Sequence, residues 1–152
     1  PTDAGYTAIA AGRDHSLALR RDGTVVAWGR DGSGQVSDRP TDANYIAIEV
    51  GIAHSLALRS DGTVVAWGRD LEGQVSNRPT DANYTAIAAG RDHNLALRRD
   101  GTVVAWGRDD DGEVSGRPTD ANYIAIAAGY ADNLALKRDG TVVTWGRNSD
   151  GR

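Results

Sequence analysis

The chain has 152 residues, with 17 lysines and arginines against 21 aspartates and glutamates, a formal charge of -4, and neither cysteine nor methionine. The lack of cysteine excludes disulfides, thiolate nucleophiles and cysteine-ligated zinc or iron–sulfur centres. Acid and base are interspersed, so no basic stripe offers itself to phosphates, and no apolar run nears the roughly 18 residues of a membrane span; the expectation is a soluble protein without a nucleic-acid or membrane partner.

Taken in order, "YTAIAAG" from Tyr6 reads as a short strand ending at Gly12, and "HSLALRR" from His15 as a second. "TVVAWGR" from Thr24 is a third, joined to the second by Asp22-Gly23, a dipeptide suited to a tight hairpin whose two central residues both take positive φ. "GQV" at 34–36 is too short for more than an edge strand or extended link. "RPTDAN" at 39–44 then reads as a crossover, because proline gives no ladder donor and Asp and Asn favour turns. Frequent glycines and β-branched pairs such as Val25-Val26 oppose helix.

The chain then begins again. Trp28, Trp67, Trp106 and Trp145 are spaced by 39 residues, as are Pro40, Pro79 and Pro118, with Pro1 in phase. One array of four units follows: 1–39, 40–78, 79–117 and a shorter 118–152. The first and third differ at six positions, which points to recent duplication or deliberate consensus construction. Along the second strand Leu17 and Leu19 face one way and Ser16 and Ala18 the other; along the third, Val26 and Trp28 oppose Val25 and Ala27. Both faces are apolar or small, so each sheet must be covered twice. A two-sided sheet repeated at a fixed period predicts an all-β fold of radially arranged blades, a β-propeller, over the competing β-solenoid.

"AAGRDHSLALRRDGTVVAWGRDGSGQV" at 10–36 resembles the RCC1-like repeat, with its Ala-Gly pair, His-Ser, alternating apolar residues, Asp-Gly, Val, Trp-Gly and a downstream Gly-Gln. In unit length it is closest to the blades of the bacterial β-lactamase-inhibitor member, BLIP-II. The resemblance implies a propeller fold, usually closed by seven blades. It implies activities as different as nucleotide exchange on a small GTPase with chromatin binding, ultraviolet perception and β-lactamase inhibition. None of these resides in the scaffold motif, so fold and not activity is implied.

The candidate sites are few. His15, His54 and His93 share one blade position, replaced by Asp132 in the fourth unit; a ring of imidazoles could line a channel mouth or hold a metal, but each stands alone in its unit, and the expected role is tying down backbone between the first two strands. "RDHS" at 13–16 has the letters of a catalytic triad without its geometry, since successive strand residues face opposite sides. "DDDGE" at 109–113 lacks the ligand spacing of a calcium loop. Trp28, Trp67, Trp106 and Trp145 are expected to cement neighbouring blades, and Arg20-Arg21 to form a solvated rim. No catalytic residue, metal site or cofactor is expected. Arg13, Ile52, Arg91 and Tyr130 share one slot where the units differ, and are the candidate contacts of a propeller face.

Four blades would leave two apolar end faces open, and those faces are the pair that meets at each internal boundary. Two chains joined head to tail would close an eight-bladed ring; a four-bladed ring within one chain would need every contact rebuilt. The functional expectation is a non-enzymatic scaffold that self-assembles into a closed propeller as a homodimer, engineered or recently amplified and without a dedicated ligand. The alternative is a protein-binding module using a propeller face, in the manner of the β-lactamase inhibitor or the exchange factor.

Overall fold

The computed structural model describes residues 2–147, which form four separate three-stranded antiparallel sheets. They are β1 (Tyr6–Ala11), β2 (His15–Arg20) and β3 (Val25–Gly29); β4 (Tyr45–Val50), β5 (His54–Arg59) and β6 (Val64–Gly68); β7 (Tyr84–Ala89), β8 (His93–Arg98) and β9 (Val103–Gly107); and β10 (Tyr123–Ala128), β11 (Asp132–Lys137) and β12 (Val142–Gly146). Each is a meander with its second strand in the middle. In the first sheet Leu17 sits opposite Ala27 and Leu19 opposite Val25, so the apolar residues of neighbouring strands share one side. This is the side-chain alternation of period two that the sequence pattern demands.

Each sheet uses both sides. One, the forward side, presents Leu17, Leu19 and Val25 to the following sheet, which answers with Tyr45, Ile48, Ala57 and Trp67 on its rear side. Leu56, Leu58 and Val64 meet Tyr84, Ile87, Ala96 and Trp106 in the same way, and Leu95, Leu97 and Val103 meet Tyr123, Ala135 and Trp145. The first strands of successive sheets also pack against each other, β1 on β4, β4 on β7 and β7 on β10. There are thus three internal joints built from one pattern.

The array is open. On the rear of the first sheet Ile9 is 82% exposed and Trp28 38%; on the forward side of the fourth, Val142 is 57% exposed and Leu134 43%. These exposed side chains are the counterparts of those buried at the internal joints.

Two local expectations are corrected. In the hairpins only the glycines Gly23, Gly62, Gly101 and Gly140 take positive φ, 81° to 90°, and the preceding aspartates do not. The loop is one residue longer than a two-residue turn: Gly23 N donates to Arg20 O at 3.0 Å and Arg20 N to Thr24 O at 2.9 Å. This is a type I turn closed by a left-handed glycine, and Asp22 serves it by accepting from Thr24 N at 2.9 Å and Thr24 Oγ1 at 2.7 Å. The "GQV" segments are turns, not strands. Asp31 Oδ1 draws in the backbone N–H groups of Val36 and Ser37 at 2.8 and 2.9 Å, which folds the link into a compact bend; Asp70 and Asp109 do the same in the next two units. These amide bonds hold the Asp31 carboxyl below its ordinary range.

After each crossover the chain enters the next first strand through one left-handed residue: Gly5, Asn44, Asn83 or Asn122. Glycine adopts this freely and asparagine more readily than most side chains, so Gly5 and Asn83 serve the same place in the first and third units. The entry is pinned to the previous sheet, because Tyr45 N donates to Gly23 O at 3.1 Å and Tyr84 N to Gly62 O at 3.0 Å.

Candidate functional site

The histidines do not tie down backbone within their own sheet. Each reaches across a joint: His15 Nε2 lies 2.8 Å from Ser55 Oγ, His54 Nε2 2.7 Å from Asn94 Oδ1, and His93 Nε2 2.7 Å from Asn133 Oδ1. The side chain sits on the forward side with the leucines, and nothing in the spacing of one unit signals that its partner lies 40 residues ahead. Asn94 Nδ2 donates to Gln74 O at 2.9 Å and Asn133 Nδ2 to Glu113 O at 3.0 Å, so the asparagine oxygens face the imidazoles and Nε2 is the donor. Burial pushes the pKa of all three histidines down, and for His54 and His93 the bond to the asparagine opposes part of that shift. These are neutral clasps.

The tryptophans complete the same joints. Trp67 Nε1 donates to Gln35 O at 2.9 Å, Trp106 Nε1 to Gln74 O at 3.0 Å and Trp145 Nε1 to Glu113 O at 2.9 Å. The bent link of one sheet therefore caps the tryptophan of the next. Trp28, with no sheet before it, stands partly open.

Arg20 and its counterparts are also more than a solvated rim. Arg20 lies 2.8 Å from Asp3 and 5.7 Å above the Tyr6 ring, whose hydroxyl donates to Asp3 at 2.6 Å. Asp42, Tyr45 and Arg59 repeat the trio, as do Asp81, Tyr84 and Arg98, and Asp120, Tyr123 and Lys137. A β-bulge at the start of each first strand, which sets Tyr6 opposite Arg20 and Ala8 opposite Leu19, brings the three together.

The variable slot lies at the other end of the sheets, in the loops between first and second strands. Three of those loops run side by side: Ile52 N donates to Arg91 O at 3.2 Å, and Arg91 N to Gly129 O at 3.3 Å. The Arg91 guanidinium stacks 4.5 Å above the ring of Tyr130, donates to its hydroxyl, and pairs through Nε with buried Asp92 at 3.0 Å. Tyr130 is exposed and Ile52 half-buried. Arg13 extends into solvent beside a shallow cleft of 240 Å3 that it lines with Arg30, Ile52 and Arg69. The structure thus brings Ile52, Arg91 and Tyr130 into one ridge, with Arg13 at its edge. Leu71, exposed at the tip of the second link where the first and third units carry Gly32 and Asp110, escaped the sequence reading; its departure from the repeat was the available signal.

Among the described residues no group of three or more His, Cys, Asp or Glu could hold a metal ion. In the acidic loop, Asp109 is committed to the bend and Asp110 to Arg108 at 2.8 Å. Among the described residues no helix is long and apolar enough to cross a membrane.

The model of the regulator of chromosome condensation (RCC1) repeat matches residues 6–35, 45–74, 84–113 and 123–152. No curated protein sequence matches the chain. Among solved structures it is similar to the ectodomain of the Physcomitrella patens receptor kinase CR4, with TM-score 0.81 and 26% identity over 95% of this chain and 42% of that one. It is similar to Prp20p from Saccharomyces cerevisiae, a structure described with its binding to Gsp1p and histones, with TM-score 0.80 and 25% identity over 96% of this chain and 47% of that one. The computationally designed Ika4 protein shares the fold at TM-score 0.57 and 22% identity, over 97% of this chain and 94% of that one. The chain spans about half the length of the natural structures it matches.

Proposed function

Because the chain belongs to the RCC1 repeat family, we propose that it is a non-enzymatic repeat scaffold, one array of units 1–39, 40–78, 79–117 and 118–152, that binds another protein along its loop rim. The observation that carries this is the ridge of Ile52, Arg91 and Tyr130. The units copy one another almost everywhere else, yet here they place an isoleucine, an arginine and a tyrosine on adjoining loops. Stacked arginine and tyrosine are the residues that concentrate binding energy in protein interfaces. The Prp20p relative is described with protein partners, and the kinship with BLIP-II that the unit length suggests would place a partner on a propeller face as well. A stoichiometric complex should lose at least tenfold in affinity on Tyr130→Ala or Arg91→Ala and keep it on Arg99→Ala in the hairpin at the opposite end. Equal affinity for all three variants removes the rim from the function.

A second reading rests on a different observation, the pair of open faces. Ile9 and Trp28 at one end and Leu134 and Val142 at the other are the counterparts of the residues that pack together at each internal joint. A second copy joined head to tail would cover both ends and complete an eight-bladed propeller. The near identity of the units, whether amplified or engineered, suits a scaffold of this kind. Light scattering at micromolar concentration tests it: a dimer mass supports the closed ring, and a clean monomer overturns it.

A further inference from the structure

The fourth sheet is a near copy of the others: its strands alone depart from all three at Asp132, Thr144 and Lys137, and the first two of these share the forward side. The forward residues of the first sheet are His15, Leu17, Leu19, Val25 and Ala27; those of the fourth are Asp132, Leu134, Leu136, Val142 and Thr144. Leu134 is paired in register with Thr144, so both changes fall on the open face, where they border a groove of 350 Å3 shared with Trp145 and Arg147. The rear of the first sheet shows no such change. Tyr6, Ile9, Ser16, Ala18 and Trp28 match Tyr45, Ile48, Ser55, Ala57 and Trp67, and Ala11 in place of Val50 is the choice Ala89 and Ala128 make in the other joints.

Each change weakens a joint by an identifiable route. Aspartate carries its oxygen one bond short of the place where histidine carries Nε2, so at the spacing that puts His15 at 2.8 Å from Ser55 it falls short of Ser16 of a second copy. It also brings a carboxylate into a joint where the corresponding imidazoles are neutral, and an unpaired charge is costly to bury. Threonine adds a methyl and a hydroxyl where Ala66, on the forward face of the second sheet, is buried against its neighbour. The extra volume pushes the sheets apart and the hydroxyl loses water.

We infer that Asp132 and Thr144 set the strength of closure between two copies, making that joint the weak, exchangeable one of the ring. The inference rests on the second reading above, in which the open faces of two copies meet. The internal joints keep their histidine clasps, so the ring opens between chains and never within one, and a protein held on the rim is offered a scaffold that can exchange halves.

Sedimentation velocity across a concentration series, on the full chain and on the Asp132→His, Thr144→Ala double variant, tests this. The variant restores at closure the histidine–serine pair and the alanine of the first joint. The expected result is a reversible wild-type dimer and at least a tenfold lower dissociation constant for the variant, with unchanged circular dichroism. A wild-type dimer that the double change leaves equal or weaker overturns the inference and leaves the ring standing. Monomers for both proteins overturn the ring itself, and the inference with it. An Asp132→Asn control reads the charge alone: a partial tightening supports the burial argument, and a loss of affinity contradicts it.

Discussion

Leu56 and Leu134 hold the same place in corresponding strands, β5 and β11, yet the first is fully buried and the second 43% exposed. Their own sheets are nearly identical, so the difference is made by the neighbour that covers Leu56 and is missing from Leu134. Stability in such an array belongs to the joints more than to the units. The largest expected effect follows. Leu56→Ala should lower unfolding free energy by about 2–5 kcal/mol, whereas Leu134→Ala should cost under about 1 kcal/mol in dilute protein. Denaturant titrations at two protein concentrations check it, and equal losses at both sites would mean that Leu134 is covered as well.

The comparison sharpens with pH, because the interior joints hold histidine and the open end holds aspartate. His15, His54 and His93 have pKa values depressed by burial, while the unfolded chain takes up protons at about 6.5. Between those values the unfolded state binds more protons, so the stability of the joints is complete above about pH 6.5 and is lost progressively as pH falls toward the folded values. Unfolding midpoints should therefore drop between about pH 7.5 and 5.5, ahead of the carboxylates. His54→Gln, which keeps a donor but does not titrate, should flatten that drop. A pH-independent midpoint across the window would mean that the imidazoles are solvated and the joints looser than drawn.

Much of this was legible in the residues, and the reason is periodicity. Alternation along "HSLALR" and "VVAWG" assigns each strand and both its faces, and the 39-residue spacing multiplies one assignment by four. What it missed are relations between units. The bond from His15 to Ser55 and that from Trp67 to the Gln35 carbonyl each join different repeats, and a pattern read one unit at a time sees only their halves. The hairpin was misread for a local reason: Asp22-Gly23 fits two turn types, and the extra residue Arg21 selects the one in which aspartate caps and glycine alone is left-handed. The rim slot was visible as variation, but the stacking of Arg91 on Tyr130 depends on how closely successive loops approach, which the sequence does not encode in any single repeat.

The smallest effect separates the interior joints from each other. At the second and third joints the clasp partner is asparagine, which takes the imidazole on Oδ1 and gives Nδ2 to the Gln74 or Glu113 carbonyl. At the first it is Ser55, whose short hydroxyl meets His15 while the Gln35 carbonyl receives Trp67. A carbonyl oxygen has two lone pairs, and Gln74 O uses both by accepting from Asn94 and Trp106. Asn94→Ser should therefore cost about 0.5–1.5 kcal/mol, the net value of one buried hydrogen bond, and Ser55→Asn should recover up to as much at the first joint. Paired denaturation curves for the two exchanges check this. If Asn94→Ser proves neutral, the three joints are equivalent and the bond to the link carbonyl contributes nothing; if it costs what is expected, the first joint is the weakest inside the chain, and only the closure set by Asp132 and Thr144 lies below it.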